Sequence, residues 1–222
     1  MREIKAIIFD CDGVLFDSRE ANVKFYNHIL KRFGLPPMTE EMITFVHMHT
    51  VDRAIEYLFK GTPYLEEAQR YRLHKMDYTP FLKEMVMEPG LKELLAKLRG
   101  KYKLAIATNR STSIGQVLEE FGLNQFFDMV VSSLDVKSSK PDPECLHKIL
   151  AAFDLSSSEG IYVGDSEIDA QTAENAKVIF VAYKNPLLKA QYHIDSLDQL
   201  LELPIIKTHW ATTLNGGRNA QA

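Results

Sequence analysis

"IIFDCDGVLFDS", residues 7–18, decides the fold: an apolar run halts on two acids, Asp10 and Asp12, with only Cys11 between them. Side chains alternate along a strand, so residues i and i+2 share a side, and both carboxylates look into one space if the extended backbone persists to Asp12. Two full charges about 5 Å apart repel by roughly 3 kcal/mol at an effective dielectric of about 20. Something cationic, or a shared proton, has to offset that. The same alternation turns Cys11 away from the acids and into packing.

Working outward, short runs rich in Ile and Val recur: "IKAIIF" (4–9), "KLAIAT" (103–108), "DMVVS" (128–132), "IYVG" (161–164) and "VIFVAY" (178–183). They do not alternate cleanly, which predicts strands buried on both faces of a parallel sheet. Amphipathic stretches at 90–99, 113–122 and 143–153 separate them. The expected fold is therefore α/β, a Rossmann-like doubly wound parallel sheet that binds ligands beyond the carboxyl ends of its strands. Asp10 and Asp12 fall at such an end.

One interval departs from this rhythm. Residues 18–87 show helical periodicity and no convincing strand, starting with "REANVKFYNHILKRFG", where Val23, Tyr26, Ile29, Leu30 and Phe33 form one stripe and Gly34 with Pro36-Pro37 ends it. Further helices are expected over 39–47, 51–60 and 64–79, with Pro80 and Pro89 marking the return. The organisation read here is an α/β core of residues 1–17 and 88–207, an inserted α-helical cap domain over 18–87, and a loose tail over 208–222 containing Trp210. At the start of the insertion, Asp17 and Ser18 suit either a helix cap or a hinge contact.

Composition excludes several classes. The 222 residues are 45% apolar and 25% charged with a net charge of −4, so no broad positive field invites nucleic acid or an anionic membrane surface. Cys11 and Cys145 are the only cysteines and fit neither a zinc site nor a disulfide framework. No run reaches the roughly 18 apolar residues of a membrane helix, and no signal segment precedes the first strand. The expectation is a soluble, cytoplasmic protein, monomer or homodimer, with no nucleic acid and no membrane as partner.

Four features converge on phosphate chemistry: Asp10-x-Asp12-Gly13; Thr108-Asn109 ending a second apolar strand; Lys140 in "SSKPDPE"; and "GDSEID", which sets Asp165 and Asp169 on one face of an incipient helix. In that order they resemble the four motifs of the haloacid dehalogenase superfamily, in its phosphatase branch with a helical cap, over residues 1 to about 203. Arg110, next to Thr108-Asn109, suits either a place over the phosphate or a structural role.

The resemblance implies that Asp10 is the nucleophile and Asp12 the general acid and base. It implies a Mg²⁺ cofactor held by Asp10, the main-chain carbonyl of Asp12 and Asp165, with Asp169 in or beside the coordination sphere. Thr108, Asn109 and Lys140 would bind the phosphoryl group, and Gly13 would let the chain turn tightly beside it. An Asp two residues after the nucleophile fits phosphatases and phosphomutases and speaks against carbon–halogen cleavage. The implied partner is a small phosphorylated metabolite, of phosphoglycolate or sugar phosphate type. The alternatives are a β-phosphoglucomutase-like phosphomutase, or a catalytically silent binding protein. In "FVHMHTVDRAI" (45–55), His47, His49 and Arg53 are the cap residues expected at the leaving group, while Thr50 stands about where sugar-phosphate mutases carry a phosphate-binding arginine.

Overall fold

Strand β1 (Ala6–Phe9) is buried at every residue because it lies in the middle of the sheet, with Ile7 and Phe9 packed into one apolar cluster and Ile8 into another on the opposite face. The computed structural model describes residues 3–206 of the chain. Its main sheet adds β4 (Lys103–Ala107), β5 (Met129–Val131), β6 (Gly160–Gly164), β7 (Ile179–Tyr183) and β8 (Tyr192–Ile194) to β1, all parallel, in the order β5-β4-β1-β6-β7-β8. The chain builds out from β1 on one side through β4 and β5, then crosses to the other side for β6. That reversal leaves a crevice at the carboxyl ends of β1 and its two neighbours.

Helices α5 (Leu91–Leu98), α6 (Ser113–Glu120) and α7 (Glu144–Ala152) fall on the amphipathic stretches, and α8 (Glu167–Ala176) opens within "GDSEID"; together they connect the strands. Each buries an apolar stripe; in α5 it is Leu91, Leu94, Leu95 and Leu98. Fully burying one such leucine is worth about 1.5–3 kcal/mol relative to leaving it exposed. The edge strand β8 was not foreseen: "YHI" is three residues long and carries too little pattern to read.

The insertion holds α1 (Arg19–Arg32), α2 (Glu40–Met48), α3 (Val51–Leu58), α4 (Leu65–Lys75) and a 3₁₀ turn over 79–84. Helix α4 stops at Lys75, short of the expected 79, because the chain turns extended at Met76. The caps are local: Thr39 Oγ1 accepts from the Met42 N–H at 3.3 Å and Thr50 Oγ1 from the Arg53 N–H at 3.4 Å. Tyr26, Ile29 and Leu30 of the α1 stripe are buried, joined by Ala21 and Phe25, and they merge with the core's apolar cluster.

Where the chain leaves the core and where it returns, two very short strands, β2 (Phe16–Asp17) and β3 (Val86–Met87), pair antiparallel, Phe16 with Met87 and Asp17 with Val86. The Glu88 N–H continues the ribbon by donating to Leu15 O at 3.0 Å. Two-residue strands lie below what periodicity can show. The expected tail over 208–222, including Trp210, lies outside the described residues. No described helix is long and apolar enough to cross a membrane.

Candidate active site

Asp10 takes the position just past β1, and its N–H still donates to Val163 O of β6 at 2.9 Å, so the sheet aims the side chain into the crevice. Lys140 Nζ stands 2.9 Å from Asp10 Oδ1. The pair is not aligned as a hydrogen bond, and Oδ1 is a buried oxygen with no hydrogen-bond donor. Burial raises the Asp10 carboxyl to about 7, with Asp169 and Asp12 pushing the same way against Lys140. The cation anticipated from the paired acids is therefore present, yet it leaves the nucleophile candidate incompletely compensated.

Lys140 is shared. Its Nζ donates to Asp169 Oδ1 at 2.7 Å and to the Tyr162 hydroxyl at 2.9 Å, while that hydroxyl donates to the same Oδ1 at 2.6 Å. Asp169 Oδ2 accepts from the Ser166 hydroxyl at 2.5 Å and the Ser166 N–H at 3.2 Å, closing a capping box at the start of α8. Burial opposes ionisation of Asp169, but Lys140, Ser166 and Tyr162 outweigh it and hold the carboxyl below its ordinary value. Both possibilities for Asp169 thus meet in one side chain: it caps a helix and it anchors the lysine that faces Asp10.

Asp12 lies beside them in a different grip. Arg110 donates from Nε to Asp12 Oδ2 at 2.7 Å and from Nη2 to Oδ1 at 2.6 Å, and the Ser18 hydroxyl also donates to Oδ1. Burial would raise the Asp12 carboxyl; the Arg110 charge and hydrogen bonds, aided by His47 and Ser18, outweigh it and hold the group low. Arg110 is itself buried, with its guanidinium 4.7 Å from the Tyr78 ring centroid and Nη2 donating to the Tyr78 hydroxyl at 3.2 Å. Of its two possible roles it takes the structural one, as a clamp on Asp12. Ser18 serves that clamp as well and does not cap α1 with its side chain.

An oxygen-only set lies next to this clamp: carboxylate oxygens of Asp10, Asp165 and Asp169 fall within 4.8 Å of one another. Burial, then Asp169 and Asp10, push the Asp165 carboxyl well above its ordinary value. Gly13, at φ +80°, brings the loop so close that a Cβ there would stand 2.1 Å from Asp165 Oδ2. Carboxylates crowded this closely, with an orphan oxygen on Asp10, fit a hard divalent cation such as Mg²⁺. Asp10 and Asp165 have the capacity to ligate it. Asp169 has spent both oxygens and suits a supporting place.

The remaining expected residues separate. Thr108 is buried, lines the cleft and accepts the Arg110 N–H at 3.1 Å. The Asn109 side chain is a stitch: Nδ2 donates to Met48 O of the cap at 3.1 Å and Oδ1 accepts the Lys140 N–H at 3.1 Å. His47 and His49 line the cleft; Asn22 Nδ2 donates to His47 Nδ1 at 3.4 Å, and the His49 ring stacks on Phe45 with centroids 3.9 Å apart. Arg53 corrects the expectation. Helix α3 turns Ala54, Ile55 and Leu58 inward, which leaves Arg53 exposed and outside the cleft lining. Thr50 is spent as the cap of α3. Tyr162, Tyr78, Ser166 and Arg72 complete the site without having been anticipated, since a strand tyrosine and a helical arginine read as packing and solvated charge.

The chain matches the family model "Haloacid dehalogenase-like hydrolase" over residues 7–183. It is 30% identical to a phosphoglycolate phosphatase of Rhodobacter capsulatus, across 92% of this chain and 97% of that one. Against a phosphorylated carbohydrates phosphatase of Thermotoga maritima the identity is 26%, across 79% and 82% of the two chains. Among solved structures, a HAD-superfamily hydrolase of subfamily IA from Geobacter sulfurreducens superposes with a TM-score of 0.79 at 39% identity, covering 90% of this chain and 98% of that one.

Proposed function

This chain belongs to the haloacid dehalogenase-like hydrolase family and is a phosphatase, and from that premise we propose that it hydrolyses a small phosphate monoester, of phosphoglycolate or sugar phosphate type, through an aspartyl-phosphate on Asp10. The observation that carries the reading is the Asp10 carboxylate itself, buried at the strand end, 2.9 Å from Lys140 and holding an oxygen that accepts no hydrogen bond.

In the first step an Asp10 oxygen attacks phosphorus, the bond from phosphorus to the ester oxygen breaks, and the leaving oxygen takes a proton from Asp12. In the second, Asp12 takes a proton from water, the resulting hydroxide attacks phosphorus, and the bond to Asp10 breaks to release inorganic phosphate. The Arg110 fork holds Asp12 in the ionised form that serves the second step. Donating a proton in the first requires that fork to loosen. Thr108 and Lys140 face the phosphoryl group, and the crossed bonds among Lys140, Asp169 and Tyr162 fix the ammonium before substrate arrives. Mg²⁺, held by Asp10, Asp165 and the Asp12 main-chain carbonyl, would neutralise charge between nucleophile and phosphate.

The test is phosphate release from a panel of small esters, with Mg²⁺ and with a chelator, beside Asp10→Asn. Release that disappears with either the metal or Asp10, by about 10⁴-fold or more for the variant, is the expected result. Equal turnover by Asp10→Asn would overturn the mechanism. The phosphomutase alternative is less well supported, because Thr50, at the position where such enzymes carry a phosphate-binding arginine, is spent as the cap of α3.

A further inference from the structure

Arg110 and Lys140 are committed to carboxylates on the core side of the cleft; a third full cation, Arg72, lines it from the cap helix α4. Its side chain is only 13% exposed, and it pairs through Nη2 with Asp52, whose side chain is 64% exposed at the rim. The Arg72 Nε–H is buried and donates to nothing. A buried N–H without an acceptor costs more, above all on a charged group, than an ion pair with an exposed carboxylate returns. The Asp52 contact therefore does not account for drawing this guanidinium inward. Tyr26, a buried phenol, and Arg72 both line the cleft on this side.

We propose that Arg72 is the residue that selects the substrate, by binding a carboxylate on the alcohol portion of the phosphate ester, so that the favoured substrate is a small phosphorylated hydroxy acid. The inference rests on the phosphatase reading above. With the phosphoryl group at Asp10 and Lys140 on the core wall, the leaving group must extend toward the cap, and Arg72 is the full cation lining that side. A carboxylate oxygen there satisfies the orphan Nε–H with a charge-assisted bond. An ester ending in a hydroxyl leaves the donor with a weaker, uncharged partner. Arg72 touches no reacting atom; its effect falls on binding and orientation of the anionic ester.

The experiment compares 2-phosphoglycolate with 2-hydroxyethyl phosphate, which share a skeleton and differ by the carboxylate, in the wild type, Arg72→Gln and Asp52→Asn. The wild type is expected to favour 2-phosphoglycolate in kcat/KM. Arg72→Gln is expected to lower that preference about 10- to 100-fold, chiefly through KM, while 2-hydroxyethyl phosphate stays within about twofold. Asp52→Asn releases the guanidinium from its competitor and is expected to keep or strengthen the preference; it decides the matter alone if Arg72→Gln does not fold. A wild type indifferent to the carboxylate, a parallel loss on both esters in Arg72→Gln, or a preference lost in Asp52→Asn overturns the inference and leaves the phosphatase standing. Phosphate released from other esters of the panel but from neither of these two overturns this inference and leaves the phosphatase standing; no phosphate from any ester of the panel overturns the proposed hydrolysis, and this inference with it.

Discussion

On the core wall of the cleft Asp169 spends both carboxylate oxygens on four donors drawn from Lys140, Tyr162 and Ser166, with none left over. On the cap wall Arg72 keeps a buried N–H unmatched, and His47 reaches Asn22 only at 3.4 Å. The Asp169 knot is complete without substrate, so the geometry it imposes on Lys140 is set before any reaction and costs little to reorganise, while Asp10 beside it keeps a buried oxygen that accepts no hydrogen bond. The cap wall is unfinished, and an incomplete set of donors is what discriminates among ligands, since the ligand that completes it gains most. Common phosphoryl chemistry and particular selectivity are thus divided between two elements that meet across one cleft.

The sharpest way to break this contrast is Lys140→Met. It strips the only cation from two buried carboxylates, and a stability loss of about 3–5 kcal/mol is expected by urea titration of the metal-free protein, together with loss of turnover. A loss under about 1 kcal/mol would mean that the core wall is not cross-braced as described. Tyr162→Phe removes one hydroxyl that both donates to Asp169 and accepts from Lys140; about 1–2 kcal/mol of stability and roughly tenfold in kcat should go, with KM nearly unchanged. A change confined to KM would instead place Tyr162 with the selective wall. Arg53→Ala should do least, within about twofold in kcat/KM for every ester and about 0.5 kcal/mol in stability, because the side chain is exposed and outside the cleft. A large, ester-dependent effect there would return Arg53 to the specificity set.

The same division explains how much was legible in the sequence. Asp10, Thr108, Lys140 and Asp165 follow strands or open turns at the carboxyl edge, where local backbone pattern alone delivers them to one crevice. Asp169 was half legible: its spacing showed the shared face, but which ligand or cap it served depended on Tyr162 and Ser166, and Tyr162 reads as one more buried strand residue. The cap was harder. Helix α4, "LEEAQRYRLHK", buries only Ala68, so its arginines look like solvated charge until the tertiary packing closes over Arg72. Arg53 misled for the opposite reason, since closeness in sequence to His47 and His49 does not carry a residue round the corner between α2 and α3. Arg110 waited on the distance between two strand ends, which no spacing reports.

The paired ribbon of β2 and β3 has a mechanical consequence. A body joined to its base by two independent tethers can tilt about either one and return askew. When the tethers are hydrogen-bonded side by side, as Phe16 with Met87 and Asp17 with Val86, they behave as a single strap with one axis of rotation. A cap turning on such a strap would follow one arc. Arg72, His47 and His49, which line the cleft from the inserted helices, are carried on that strap.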